Sequence, residues 1–143
     1  MNDSKLIELY RTLSSQEKKQ LQEYVYCDFL NKSREAARLY DFIYQSDNTK
    51  NELDKKKAYQ YAFEKKTYQD SKMRRLMSAL LKLMEDFLLY MYQQANEKKQ
   101  KINLAEVYFL RGLPKHFNST IRWCEKLQDA DKQINEDYYY AQY

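Results

Sequence analysis

Asp70–Tyr92 reads DSKMRRLMSALLKLMEDFLLYMY. Met73, Leu76, Met77, Leu80, Met84, Phe87, Leu88 and Met91 recur at the i, i+3, i+4, i+7 intervals that place side chains on one face of an α-helix. Ala79, Leu81, Leu83, Leu89 and Tyr90 widen that face and leave the strip Arg75, Ser78, Lys82, Glu85, Asp86 and Gln93 for water. A helix lying on a protein surface needs one apolar stripe, so this pattern predicts a long helix over about residues 70–95 with neighbours on several sides. The expected fold is all-α, a helical bundle around this central helix, leading into an antiparallel helix pair.

Composition points the same way. The chain of 143 residues holds one Gly and one Pro, against usual frequencies of about 7% and 5%. A β protein of this length needs many tight turns with positive φ, which Gly normally supplies. Apolar residues (43%) are spread at helical intervals through the chain, which argues against disorder. The net charge is +4, unevenly spread: residues 50–101 carry thirteen Lys/Arg and seven Asp/Glu, a local +6, and the flanking segments are each close to −1.

Upstream, the pattern predicts a helix over Ser4–Leu13 with Leu6, Ile7, Leu9, Tyr10 and Leu13 apolar, started by Asn2, Asp3 or Ser4. Ser14 to Glu17 spells a capping box. The helix after it is expected to turn Leu21, Tyr24, Val25, Phe29 and Leu30 inward and to end at Asn31 in a left-handed conformation. Ser33 caps a third helix, to about Tyr44, burying Ala36, Leu39, Tyr40 and Ile43. QSDNTKN, Gln45–Asn51, reads as a loop because its side chains bond their own backbone. A fourth helix over residues 52–65 follows, with Leu53, Tyr59, Ala62 and Phe63 on one side and Lys55, Lys56 and Lys57 on the other. Asp70 or Ser71 caps the central helix.

Beyond Tyr92 the polar run 93–101 marks the expected boundary between residues 1–95, a helical bundle, and residues 102–143. NLAEVYFLRGLPKHFNSTIRWCEKL reads as a helical hairpin in which Gly112 ends one arm and Pro114 opens the next. Another helix is expected from Ala130 or Asp131. The chain stops at Tyr143 in mid-pattern, which suggests a piece of a longer protein.

Leu104, Ala105, Tyr108, Gly112, Ile121 and Cys124 fall at the spacing of consensus positions in a tetratricopeptide repeat (TPR), so residues 102–128 resemble a TPR-type hairpin. Phe117 departs from it, standing where the repeat uses alanine, and no proline closes the unit. LSSQEKKQLQEYV with FLNKS, and YQDSKMRRLMSALLKLMEDFLLY, resemble the N-terminal part of an uncharacterised family of bacterial all-helical proteins. That resemblance implies a longer parent with helical repeats downstream, and it implies no activity.

No catalytic, cofactor or metal site emerges. His116 is the one histidine and belongs to no nucleophile motif. Glu85 and Asp86 are adjacent and diverge by about 100° around a helix. A Gly-rich phosphate loop cannot be built from one Gly. Cys27 and Cys124 have no CxxC partner and read as buried free thiols. There is no signal peptide pattern, and Lys82, Glu85 and Asp86 interrupt the most apolar segment, so the chain is expected to be cytoplasmic.

The expected function is therefore non-enzymatic: a protein–protein interaction or scaffold module with no cofactor, whose partner is another protein of unknown identity. Tyr138, Tyr139, Tyr140 and Tyr143 are too dense to share one core and form the candidate partner surface. The alternative is a helix-turn-helix DNA-binding regulator fused to helical repeats, with Lys72, Arg74 and Arg75 as the nucleic-acid contacts. This order of parts is similar to that of bacterial regulators joining a winged helix to TPR units. Against it, the helix becomes apolar after Arg75 and no winged hairpin follows.

Overall fold

A computed structural model describes residues 1–64 and 66–142, with side chains as far as Lys132. Among the described residues there are seven helices and no strand, so the protein is all-α. They are α1 (Lys5–Arg11), α2 (Ser15–Val25), α3 (Arg34–Thr49), α4 (Lys55–Ala62), α5 (Asp70–Ala95), α6 (Glu97–Leu110) and α7 (Pro114–Gln142). Two compact units divide the chain, Met1–Leu88 and Leu89–Tyr143.

A capping side chain starts five of the helices; α5 already includes Asp70 and Ser71, the residues expected to cap it. Ser4 Oγ accepts from Ile7 N. Ser14 Oγ accepts from Glu17 N at 3.1 Å while Glu17 Oε1 accepts from Ser14 N at 2.9 Å, the reciprocal bonds of a capping box. Ser33 caps α3, Asp54 caps α4 and Asn96 caps α6 in the same manner.

In the first unit α3 is the most widely buried element. It sets Ala36, Ala37, Leu39, Tyr40, Ile43 and Ser46 inside and packs on α2 and α4. The adjacent alanines keep that side of the helix thin, so neighbours can approach closely. Leu6, Ile7 and Tyr10 of α1, Leu21 and Val25 of α2, and Ala58, Tyr59 and Ala62 of α4 complete the wall. α5 closes it with the stripe Met73, Leu76, Leu80, Met84 and Phe87, whose last ring meets Tyr24 edge-on at 5.6 Å.

Five elements differ from the sequence pattern. α5 buries that one stripe; of the residues expected to widen it, Leu81 and Leu83 are half-buried and Ala79, Leu89 and Tyr90 are exposed. α3 runs through Gln45–Thr49, where a loop was expected. Ser46 is buried there, the Asp47 carboxylate is engaged by Tyr10 and Lys18, and Thr49 Oγ1 donates to the Gln45 carbonyl. These side chains no longer compete for local backbone. Lys50, at φ 55°, gives α3 a left-handed cap. α2 stops at Val25 with a right-handed Tyr26 cap, so Phe29 and Leu30, expected inward, are exposed and Asn31 ends no helix in a left-handed conformation. α4 begins only at Lys55 and ends at Ala62. Past Phe63, Glu64 turns left-handed and its carboxylate meets Arg38 at 2.8 Å. α7 continues past Ala130 without a break.

In the second unit α6 and α7 pack along each other. Tyr108 beside His116, Lys101 over Trp123 and Lys98 near Asp131 show the two helices to be antiparallel. Gly112 makes the turn at φ 68°, a conformation that a side chain disfavours.

Leu80 is fully buried and Leu89 is 55% exposed on the same helix. Leu80→Ala or Phe87→Ala is expected to cost about 2 to 5 kcal/mol in urea denaturation, and Leu89→Ala well under about 1 kcal/mol. A loss below about 1 kcal/mol for Leu80→Ala would displace α5 from the core.

Candidate interaction surfaces

Among the described residues of the α6–α7 pair Ala105 and Thr120 are buried, with Leu104, Tyr108, Phe117, Ile121, Cys124 and Leu127 half-buried. These positions form one face of each helix, so the pair meets along a single seam. On the other sides Leu110 is 75% exposed, Phe109 70%, and Ile102, Val107, Leu113 and Trp123 more than a third exposed. α6 is apolar around most of its circumference, but its partner helix covers only one side. Sequence periodicity assigned Leu104, Ala105 and Tyr108 to packing and missed the outer row. Its signal was the presence of Ile102, Val107, Phe109 and Leu110 among those same residues.

The proposed partner tyrosines fall outside this description. The side chains of Tyr138, Tyr139 and Tyr140, and all of Tyr143, lie outside the described residues.

Lys72, Arg74 and Arg75 lie on the first turns of α5 and are exposed. They are not equivalent. Asp70 gathers Arg74 at 2.7 Å, Lys55 at 3.1 Å and the Tyr68 hydroxyl at 2.9 Å, so Arg74 helps fix the start of the helix. Hydrogen bonds from Lys55 and then Tyr68 hold the Asp70 carboxyl below the usual carboxylate range. Lys72 and Arg75 make no ion pair with a described residue. Residues 63–69 separate α4 from α5.

A second charge cluster ties the first three helices. Asp47 Oδ2 accepts from Lys18 Nζ at 3.0 Å and from the Tyr10 hydroxyl at 3.1 Å, and the Lys18 ammonium lies 4.7 Å from the Tyr10 ring centre. Burial first, and then the Asp47 hydrogen bond, pushes the Tyr10 hydroxyl up, so it stays a donor at all ordinary pH. Near the end of α2, Tyr26 donates to Asp41 Oδ2 and Gln22 Nε2 to Asp41 Oδ1 at 3.2 Å. Burial and that carboxylate push Tyr26 up to about 12.

Cys27 and Cys124 are free and half-buried, more accessible than their sequence setting implied. Among the described residues no group of His, Cys, Asp or Glu is placed to hold a metal ion, and no helix is long and apolar enough to cross a membrane. Comparison with protein-family models, curated proteins and solved structures finds no match for this chain.

Asp47 supplies a test of the cluster. The Lys18 hydrogen bond, assisted by Tyr10 and opposed by partial burial, lowers its carboxyl below the ordinary 3.8. A depressed folded value means stabilisation above the unfolded value, lost as pH falls through the folded one. The carboxylate is 45% exposed and screened, so Asp47→Asn is expected to cost about 1 kcal/mol or less at neutral pH. In urea denaturation the gap from the unaltered protein should narrow as pH is lowered below the ordinary 3.8 and through the lower folded value. An equal gap at neutral and at low pH would show that the ion pair contributes nothing.

Proposed function

We propose that the chain is a non-enzymatic protein–protein interaction or scaffold module, a helical bundle centred on α3 and closed by α5, followed by a TPR-type helix pair whose outer side receives another protein. The observation that carries this reading is the exposed row Ile102, Val107, Phe109, Leu110, Leu113 and Trp123. Large apolar and aromatic side chains presented together on a helix pair are the usual anchors of a binding surface, and covering them removes them from water.

The TPR likeness is supported by burial. Leu104, Ala105, Tyr108, Ile121 and Cys124, the residues at consensus spacing, are among those buried or half-buried between α6 and α7. Gly112 stands in the turn. Two features depart from the repeat: Phe117 is half-buried where alanine is usual, and α7 alone spans 29 residues, against about 34 for a whole TPR unit. The helix-turn-helix alternative has less support. Arg74 is engaged by Asp70, and residues 63–69 exceed the turn of about three or four residues that such a motif uses.

A photoreactive benzoylphenylalanine in place of Leu110, irradiated in the native cell, is expected to give a covalent adduct with another protein. The same group in place of Lys72 should not, and adding Phe109→Glu to the Leu110-labelled chain should remove the adduct. No adduct at Leu110 beyond that at Lys72 would sink the reading. In a separate measurement the protein is expected to leave double-stranded DNA unretarded at low salt. Retardation that disappears with Lys72→Glu and Arg75→Glu would establish the regulator instead.

A further inference from the structure

From Val107 to Cys124 the chain reads VYFLRGLPKHFNSTIRWC, a stretch with Arg111, Lys115, His116 and Arg122 and no Asp or Glu. It forms the end of α6, the turn at Gly112 and the start of α7, and it carries Phe109, Leu110 and Leu113 of the exposed row. Arg111 and Lys115 are exposed and make no ion pair with a described residue. The carboxylates that bracket the stretch stand back from the turn: Glu106 lies one helical turn before Leu110, and Glu125 lies about 15 Å along α7 from Lys115. The turn therefore offers water apolar side chains and charge of one sign.

Against it opens a cleft of about 260 Å³ lined by Tyr108, Lys115, His116, Ser119 and Thr120. Every side chain of this lining bears a hydrogen-bonding group, and none is a carboxylate. Ser119 and Thr120 are spent, since their hydroxyls donate to the carbonyls of Lys115 and His116 at 3.0 and 2.9 Å. That leaves the Tyr108 hydroxyl, the Lys115 ammonium and the His116 ring, 5.1 Å from the Tyr108 ring, as the groups for a ligand. A carboxylate accepts from each of them. An occupant that meets both the cleft and the apolar turn is amphipathic and acidic. An anionic lipid surface has the right sign, but two cations hold a chain to it only weakly, and inserting the turn deeply enough to cover Leu110 would carry Glu106 toward the hydrocarbon.

We propose that the partner segment seated on the α6–α7 turn is acidic, a stretch of another protein whose apolar side chains cover Phe109, Leu110 and Leu113 while its carboxylates meet Arg111 and the cleft of Tyr108, Lys115 and His116. The inference rests on the reading that this helix pair receives another protein, and it names the chemistry of that partner.

Fluorescence anisotropy on the full chain tests it with two labelled synthetic peptides. One is built of leucine and glutamate at helical spacing over about twelve residues, and its twin has lysine for glutamate. The glutamate peptide should bind at about 10 to 100 μM and the lysine peptide about tenfold more weakly or not at all. With circular dichroism confirming that each variant is folded, Arg111→Glu and Lys115→Glu should each weaken the glutamate peptide about tenfold. Lys56→Glu with Lys57→Glu, on α4, should leave it unchanged. Arg111→Gln and Lys115→Gln stand in for a reversal that fails to fold, and each must weaken the glutamate peptide. Vesicles of phosphatidylserine and phosphatidylcholine in equal parts should sediment without the chain. Equal binding of the two peptides, binding indifferent to Arg111 and Lys115 or lost equally with the α4 variant, or a chain that sediments with the vesicles would each overturn the proposal. The Leu110 photoadduct separates this failure from that of the wider reading. An adduct that survives Arg111→Glu with Lys115→Glu overturns the acidic partner alone, and the absence of any adduct removes both.

Discussion

The Tyr40 hydroxyl, donating to the Lys18 carbonyl at 2.5 Å, is the contact on which the first unit depends. Tyr40 is fully buried on α3, and a buried hydroxyl without an acceptor is costly. That requirement fixes α2 against α3, because the acceptor is a backbone atom of α2 and cannot be replaced by a side-chain rotation. Burial first, with Tyr44, Asp41 and Asp47 adding to it, raises the Tyr40 hydroxyl far above its ordinary value, so the donor never ionises. The ring is then placed edge-on to Tyr10 at 6.1 Å and stacked on Tyr44 at 6.2 Å, which brings in α1. Lys18 offers its carbonyl to Tyr40 and its ammonium to Asp47, so one residue of α2 holds α3 at two points.

Short-range chemistry was legible in the sequence. Ser4, Ser14 with Glu17, and Ser33 start helices because a capping oxygen and its amide lie within three residues of each other. Gly112 ends α6 for an equally local reason. Gln45–Thr49 was illegible because its outcome is set from a distance. Asp47 finds Tyr10 and Lys18, 37 and 29 residues away, and a side chain so engaged stops acting as a helix breaker. Phe29 and Leu30 failed in the opposite direction. They continue the apolar rhythm of α2, but the helix stops at Val25 and Asn31 closes the turn, leaving both rings and branches in water.

Hydrophobic periodicity reports how much of a helix would rather be dry, and is silent on what dries it. α5 and α6 are both apolar beyond one stripe, and each has one stripe covered within its chain. The centrality ascribed to Asp70–Tyr92 therefore belongs more to α3, whose sequence is less apolar but whose paired alanines admit neighbours on a wider arc. Small residues, invisible to a count of large apolar ones, decide which helix can be surrounded.

Charge is distributed on a related principle. Asp70 and Asp47 each collect several donors, and Arg38 is shared between Glu64 and the Ala62 carbonyl, so many ionic groups near the helix ends are committed to architecture. No buried side-chain polar atom among the described residues lacks a partner. The large side chains left in water are instead apolar, on Phe29 and along α6.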